Sequence, residues 1–283
     1  MAAEPRTLLD GIVFPEGPRW RQGRLWFSDM HARRVMTVTL DGKTETIAEH
    51  ESDRLSGLGW LPDGQLLVVA MGSRKVLRME RGKLVEHADI SSLAPGDCND
   101  MVVDAVGRAY VGNFGYDFNR GEEPKTTCIV RVDPDGTSSI AATGVMFPNG
   151  TVITPDGKTL IVGETFGRKL TAFDVASDGR LSKQRTWADV GEAFPDGICL
   201  DAENAIWVAS PRTSEFLRVK EGGEVTERIP VPGRGAYACM LGGEDRRTLF
   251  LCTAVGSNQD LRDGKMKGAI EVVEVEVPGA GWP

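Results

Sequence analysis

The chain has 283 residues, 41% hydrophobic and 26% charged, enough to bury the core of one large domain or two small ones. A formal net charge of −8 and 7% aromatic content exclude the basic stripe and stacking platform that nucleic-acid binding needs. No apolar window approaches the roughly 20 residues of a membrane span, the start MAAEPRTLLDGIVF lacks a cationic leader, and five scattered cysteines (Cys98, Cys128, Cys199, Cys239, Cys252) form no C-x-x-C, so reduced, buried thiols in a cytoplasmic chain with no membrane partner are expected.

In chain order, a first strand candidate, RTLLD at 6–10, is followed by apolar runs that recur after turns. These are LWFSD (25–29), LLVVA (66–70), AYVGN (109–113), LIVGE (160–164), IWVAS (206–210) and LFLCT (249–253). Their starts are 41, 43, 51, 46 and 43 residues apart. Runs this short and this rich in Val, Ile, Leu and aromatics read as strands, and a period in the forties reads as a repeat architecture. A tight turn precedes most runs: LPDG (61–64), AVG (105–107), TPDG (154–157) and AEN (202–204) join each to an earlier strand. Third strands (VLRME, KLTAFDV, EFLRV) and weaker fourth strands (LVEHAD, RTWADV, EVTERI) follow. Four antiparallel strands in each of six repeats predict an all-β, six-bladed β-propeller spanning 1–283 as a single domain. The last run, AIEVVEVEV, is expected to close the ring with RTLLD.

Two kinds of Pro-x-Gly turn are interleaved. Pro155-Asp156-Gly157 belongs to a water-facing hairpin, as does Pro62-Asp63-Gly64. Pro148-Asn149-Gly150 is in another phase, ahead of the strand nearest the axis, and matches Pro15-Glu16-Gly17 and Pro195-Asp196-Gly197. The residue at that phase in the six repeats is Glu16, Ser56, Asn99, Asn149, Asp196 and Ala238, with gaps of 40, 43, 50, 47 and 42. These positions are expected to converge at one end of the central channel. Glu is a poor turn former, so turn propensity alone does not account for Glu16. Two carboxylates crowded with two carboxamides repel each other and lose hydration, which a divalent cation relieves. An all-oxygen set with two negative charges suits Ca²⁺ first, then Mg²⁺ or Mn²⁺.

FPEGPRW (14–20), CNDMVVDAVGRAYVGN (98–113), FPNGTVITPDGKTLIV (147–162) and FPDGICLDAENAIWVA (194–209) together resemble the SMP-30/gluconolactonase/LRE-like family. That group includes regucalcin and bacterial lactonases and is more distantly similar to diisopropyl fluorophosphatase and paraoxonase-type propellers. The resemblance spans essentially the whole chain. It implies a metal-dependent hydrolase that opens lactones, with Glu16, Asn149 and Asp196 as metal ligands. It implies Asn99 as a further ligand, or as a contact to metal-bound water or substrate. Zn²⁺ or Fe²⁺ would serve in place of Ca²⁺. Asp97 stands where gluconolactonase-like members often have an Arg that contacts sugar hydroxyls, so the resemblance implies a lactone without implying a sugar. The same metal would also serve an arylesterase or phosphotriesterase. A calcium-binding propeller without enzymatic activity is the remaining reading.

Within the hydrolase reading, Asp196 is the expected base or nucleophile. Asp100 is either the alternative base or a group orienting Asn99. The ends of the second strands, and the loops after them, should sit over the site. That nominates His31, Met71, Asn113, Phe114, Tyr116, Phe166 and Pro211 as pocket residues, with the segments 115–127 and 254–268 as lids. His50 and His87 fall in outer strands and are expected to be solvated. With three histidines so placed, a His-based zinc triad is excluded, and no G-x-S-x-G elbow is present. The expected partner is a small lactone or ester, and the expected state a monomer or weak homo-oligomer.

Overall fold

The computed structural model of the protein describes residues 4–281. Six four-stranded antiparallel sheets stand around a common axis. Their first strands are Pro15–Arg21, Leu55–Trp60, Cys98–Val103, Pro148–Ile153, Ile198–Leu200 and Gly235–Gly242. Each touches the next, and the sixth touches the first, so they form the innermost ring. The other strands of each blade follow outward in chain order. Blade six is the exception. Its outermost strand is Arg6–Ile12, which pairs antiparallel with Lys267–Glu274, so the two ends of the chain close the ring as expected.

The apolar runs are nearly unbroken because the middle strands are buried on both faces. Successive side chains of a strand point to opposite faces, and each face packs on a different neighbouring blade. Met101 and Val103 of blade three pack with Leu67 and Val69 of blade two. Val102, between them, packs with Ile153 and Leu160 of blade four. The outermost strands lose one packed face and become polar; in Leu181–Asp189 only Trp187 and Ala188 are buried. The five cysteines are all buried and unbonded.

Two expectations are corrected. His87 is half-buried and not solvated: its Nε2 is sealed from water without a partner. Burial and Arg78 together lower its pKa. The ring residues were placed ahead of the innermost strands, but Glu16, Ser56, Asn99, Asn149 and Ala238 lie inside them. Each stands at a break in the pairing register: Glu16/Arg19, Leu55/Leu58, Cys98/Met101, Pro148/Thr151 and Ala236/Ala238. Asp196 alone precedes its strand, Ile198–Leu200. A β-bulge leaves residues unpaired and bends the strand; Ser56, Asn99 and Asn149 are unpaired residues of their breaks, and Glu16 and Ala238 are paired residues bordering theirs.

Candidate functional site

Local sequence builds the site. The last residue of several second strands is a buried polar group that clamps the entry to the innermost strand. Asp29 Oδ1 accepts from Val13 N (3.0 Å) and Phe14 N (2.9 Å), just ahead of Pro15-Glu16. Glu164 accepts from Met146 N (2.6 Å), ahead of Asn149, and Ser210 Oγ accepts from Phe194 N (3.0 Å), ahead of Asp196. Around the ring the innermost backbones then meet with no room for side chains at several positions. A Cβ on Gly150 would lie 2.4 Å from Ile198 N and 2.6 Å from Asp196 O, and one on Gly197 would lie 2.4 Å from the Ala238 Cβ. Gly150 N donates to Asp196 O (3.1 Å), and Gly197 N donates to Tyr237 O (2.7 Å).

Glu16, Asn99, Asn149 and Asp196 are brought to this ring and are only 5–8% exposed. The Asn149 amide acts on the Asp196 carboxylate to lower its pKa, and its Nδ2 donates to Thr165 Oγ1 at 3.3 Å. Thr165 Oγ1 donates in turn to Pro195 O (2.7 Å), tying blade four to the Asp196 entry. Burial, then the charges of Asp196 and Asp100, hold Glu16 well above the ordinary carboxylate range. Burial, with Asp100 adding to it, raises Asp196 likewise against the lowering effect of the Asn149 bond. Among the described residues neither Glu16 nor Asp196 has a Lys or Arg ion-pair partner. Asn99 Nδ2 and Ser56 Oγ are sealed from water with no partner in the protein.

This donor set fits a hard divalent cation. Two carboxylates raised by burial and by neighbouring acids have no ion-pair partner among the described residues, Arg19 offsetting Glu16 only in part, and a carboxamide that can turn either end inward has one end unpartnered. Among the described residues no three His, Cys, Asp or Glu side chains gather as a metal cluster. The candidate set is two acids and two amides.

Asp100 is held differently. It takes the position after the ring residue, where blades one, two, four and five have glycine. Its Oδ1 accepts from buried Arg19 (2.9 Å) and from Met101 N (2.8 Å). Burial raises its pKa despite Arg19. Asp100 is therefore anchored to Arg19 while its charge acts on Glu16 and Asp196.

Of the nominated pocket residues, Met71, Phe114 and Tyr116 join one apolar cluster with Phe14, Met30, Phe147 and Met266, and Phe166 packs against it. Phe114 stacks on Phe147 at 4.3 Å, and Phe166 meets Phe147 edge-on at 5.1 Å. Phe147 precedes Pro148-Asn149, so this aromatic wall flanks the ring on the side of blades three and four. Pro211 is outside the cluster. Asn113 is fully buried and spent on its own loop: Nδ2 donates to Cys128 O (2.9 Å), and Oδ1 accepts from Gly115 N (3.0 Å) and Thr127 Oγ1 (2.6 Å). It clamps the chain, as Asp29 and Glu164 do, and offers nothing to a ligand.

His31 lies edge-on to Phe14 at 5.7 Å, with Gly264 of the 254–268 segment against Nδ1. Its Nε2 is sealed and unpartnered. Burial, then Arg54, lowers its pKa to about 4. Arg54 is paired with Asp97 at 2.5 Å, so Asp97 holds a guanidinium supplied by blade two. The lid candidates carry short helical turns, Phe118–Arg120 and Asn258–Asp263, the latter with a Ser257/Asp260 capping box.

Sequence reasoning missed Tyr237, Arg19, Arg54 and the phenylalanines of the Phe-Pro entries. Phe14, Phe147 and Phe194 stand before Pro15, Pro148 and Pro195 alike, which is the signal that would have found them. Tyr237 precedes Ala238, the ring position without a polar group. Burial, then Asp196 and Glu16, pushes its phenol up to about 12.

Residues 14–255 match the family described as SMP-30/Gluconolactonase/LRE-like region. The chain is 28% identical to a 6-deoxy-6-sulfogluconolactonase of Pseudomonas putida, over 96% of this chain and 94% of that one. It is also 28% identical to a pentonolactonase of Haloferax volcanii, over 93% and 91%. Among solved structures, a calcium-binding protein, regucalcin, from Agrobacterium tumefaciens superposes with a TM-score of 0.82 at 22% identity, over 99% and 97% of the two chains. Distant relatives are thus sugar lactonases, and the chain belongs to the SMP-30/gluconolactonase/LRE-like family.

Proposed function

We propose that the protein is a metal-dependent hydrolase that opens lactones. The observation that supports this most is the buried quartet of Glu16, Asn99, Asn149 and Asp196, two amides and two acids held well above the ordinary carboxylate range, neither acid having an ion-pair partner among the described residues. The lactonase relatives point to the same chemistry.

These four residues would hold one divalent ion, Ca²⁺ before Mn²⁺, Mg²⁺, Zn²⁺ or Fe²⁺, because the donors are all hard oxygens. When bound, the ion supplies the positive charge that polarises the lactone carbonyl. Asp196 takes a proton from the water that adds to the carbonyl carbon. The ring C–O bond then breaks, and Asp196 returns that proton to the departing alkoxide, giving the hydroxy acid. A carboxylate with a raised proton affinity suits that task better than an ordinary one. Asp100, with Oδ1 already occupied by Arg19 and Met101 N, serves to fix its neighbour Asn99.

The test is hydrolysis of a lactone panel after exhaustive chelation and after adding back single ions. Activity that is lost and returns with Ca²⁺ is the expected result. Asp196→Asn should reduce turnover by at least about 100-fold while the protein stays folded by circular dichroism. An active Asp196→Asn variant rejects the assignment of the base. Hydrolysis that is indifferent to chelation rejects the metal. The aromatic wall of Phe114, Phe147 and Phe166 makes aryl esters the second substrate class to try.

A further inference from the structure

Five blades bring a polar or charged ring residue to the axis, and blade six brings Ala238. The preceding residue, Tyr237, lies over that gap. Its carbonyl accepts from Gly197 N (2.7 Å), which fixes its backbone one residue from Asp196. Its ring packs edge-on to Phe14 at 4.5 Å, two residues from Glu16. The Tyr237 backbone and ring are thus fixed from two sides, by Gly197 of blade five and by Phe14 of blade one. Among the described residues its hydroxyl makes no hydrogen bond, and it is not among the buried polar atoms sealed from water. A half-buried hydroxyl that is open to solvent and bonds no protein group is free to take a ligand.

The position is built for it. A Cβ on Gly235 would fall 2.6 Å from Tyr237 Cε2, Cζ and Oη alike. Only glycine lets the ring lie back along the strand. Tyr237 packs, with Phe14, against the same apolar cluster as Phe114, Phe147 and Phe166, so its hydroxyl is an unpartnered polar group at the edge of an apolar wall.

We infer that Tyr237 is a substrate-contacting residue whose hydroxyl donates to an oxygen substituent of the bound lactone, so that the preferred lactone carries such a substituent. This rests on the lactonase reading and names the class of lactone within it.

The experiment uses the full-length, Ca²⁺-loaded protein as wild type, Tyr237→Phe and Gly235→Ala. Tyr237→Phe keeps the packing on Phe14 and removes only the oxygen. Gly235→Ala keeps the oxygen and displaces it. For a hydroxylated lactone, both variants should lose about 10- to 50-fold in kcat/KM, the worth of one hydrogen bond to a substrate oxygen. For the unsubstituted lactone of the same ring size both should stay within about twofold, and calorimetric Ca²⁺ affinity should not change. Equal losses on the two lactones, or none on either, overturn the inference while leaving the lactonase reading intact. If the wild type opens no lactone, that reading fails. Binding of a hydroxylated lactam then decides the contact alone: about tenfold weaker binding in Tyr237→Phe supports it, and equal binding overturns it.

Discussion

Side chains that look alike in sequence are held to different tasks by one or two contacts. Asp100 and Asp196 are both buried and both raised, yet only Asp100 has a guanidinium, Arg19, and that pair is itself buried. Removing one partner of such a pair strands the other, so Arg19→Leu should cost about 3–5 kcal/mol of stability, read by denaturant unfolding. A cost below about 1 kcal/mol would show that Asp100 does not depend on Arg19. His31 makes the pH prediction. Its pKa in the fold falls from 6.5 to about 4, because burial and Arg54 disfavour the cation. The unfolded chain therefore binds the proton first. The stability tied to the neutral imidazole is complete above 6.5, declines as pH falls through 6.5 towards 4, and is constant below that. The His31 imidazole signals should stay those of the neutral ring at pH 5.5 in an NMR titration, and His31→Asn should remove its share of the acid slope. An imidazole titrating at its ordinary value would mean that the ring reaches solvent.

At the scale of the strand, the two Pro-x-Gly turns of residues 147–157 give a matched comparison. Gly157 has φ +70° with nothing near its missing Cβ, so Gly157→Ala meets only backbone strain, about 1 kcal/mol. Gly150 would drive its Cβ into the Ile198 and Asp196 backbone, which cannot step aside. Gly150→Ala should cost about 2–4 kcal/mol and weaken Ca²⁺ binding as well, because Asp196 must move. Equal costs for the two would refute the close approach. Spacing alone separated these turns, since a blade repeats its phase whatever its local sequence. The runs were legible for a similar reason: strands buried on both faces must be apolar at every residue. The bulges were not legible, because a register break depends on which partner residue it faces across the blade. Nor was the role of Asn113. It ends its strand as Asp29, Glu164 and Ser210 end theirs, but a clamp and a ligand-facing amide look the same until the bonds to Gly115, Thr127 and Cys128 are seen. Tyr237 and the Arg54–Asp97 pair lay hidden because their partners come from other blades.

Across the whole molecule, the donors of the quartet come from blades one, three, four and five, and the seam that closes the ring lies between them and the chain ends. Glu16 sits just after the first strand, Arg6–Ile12, whose sheet partner among the described residues is Lys267–Glu274 of blade six. An ion held by all four residues, as proposed, would tie blade one to blades three to five across the axis and so would act on the same opening motion that the seam resists. Binding at about 100 times Kd adds about 2.7 kcal/mol to the folded state. For a chain of this size that is a rise in Tm of roughly 5 °C or more. Deleting residues 1–12 removes the outermost strand of blade six and frees the approach to Glu16. If the ring acts as one unit, the truncated protein should melt at lower temperature and its Ca²⁺-induced rise should shrink by more than half, both measurable by differential scanning calorimetry. A truncated protein that melts early but keeps the full Ca²⁺-induced rise would separate the two. The quartet would then be held by the local clamps of Asp29, Glu164 and Ser210 alone, and closure of the ring would matter to stability without reaching the site.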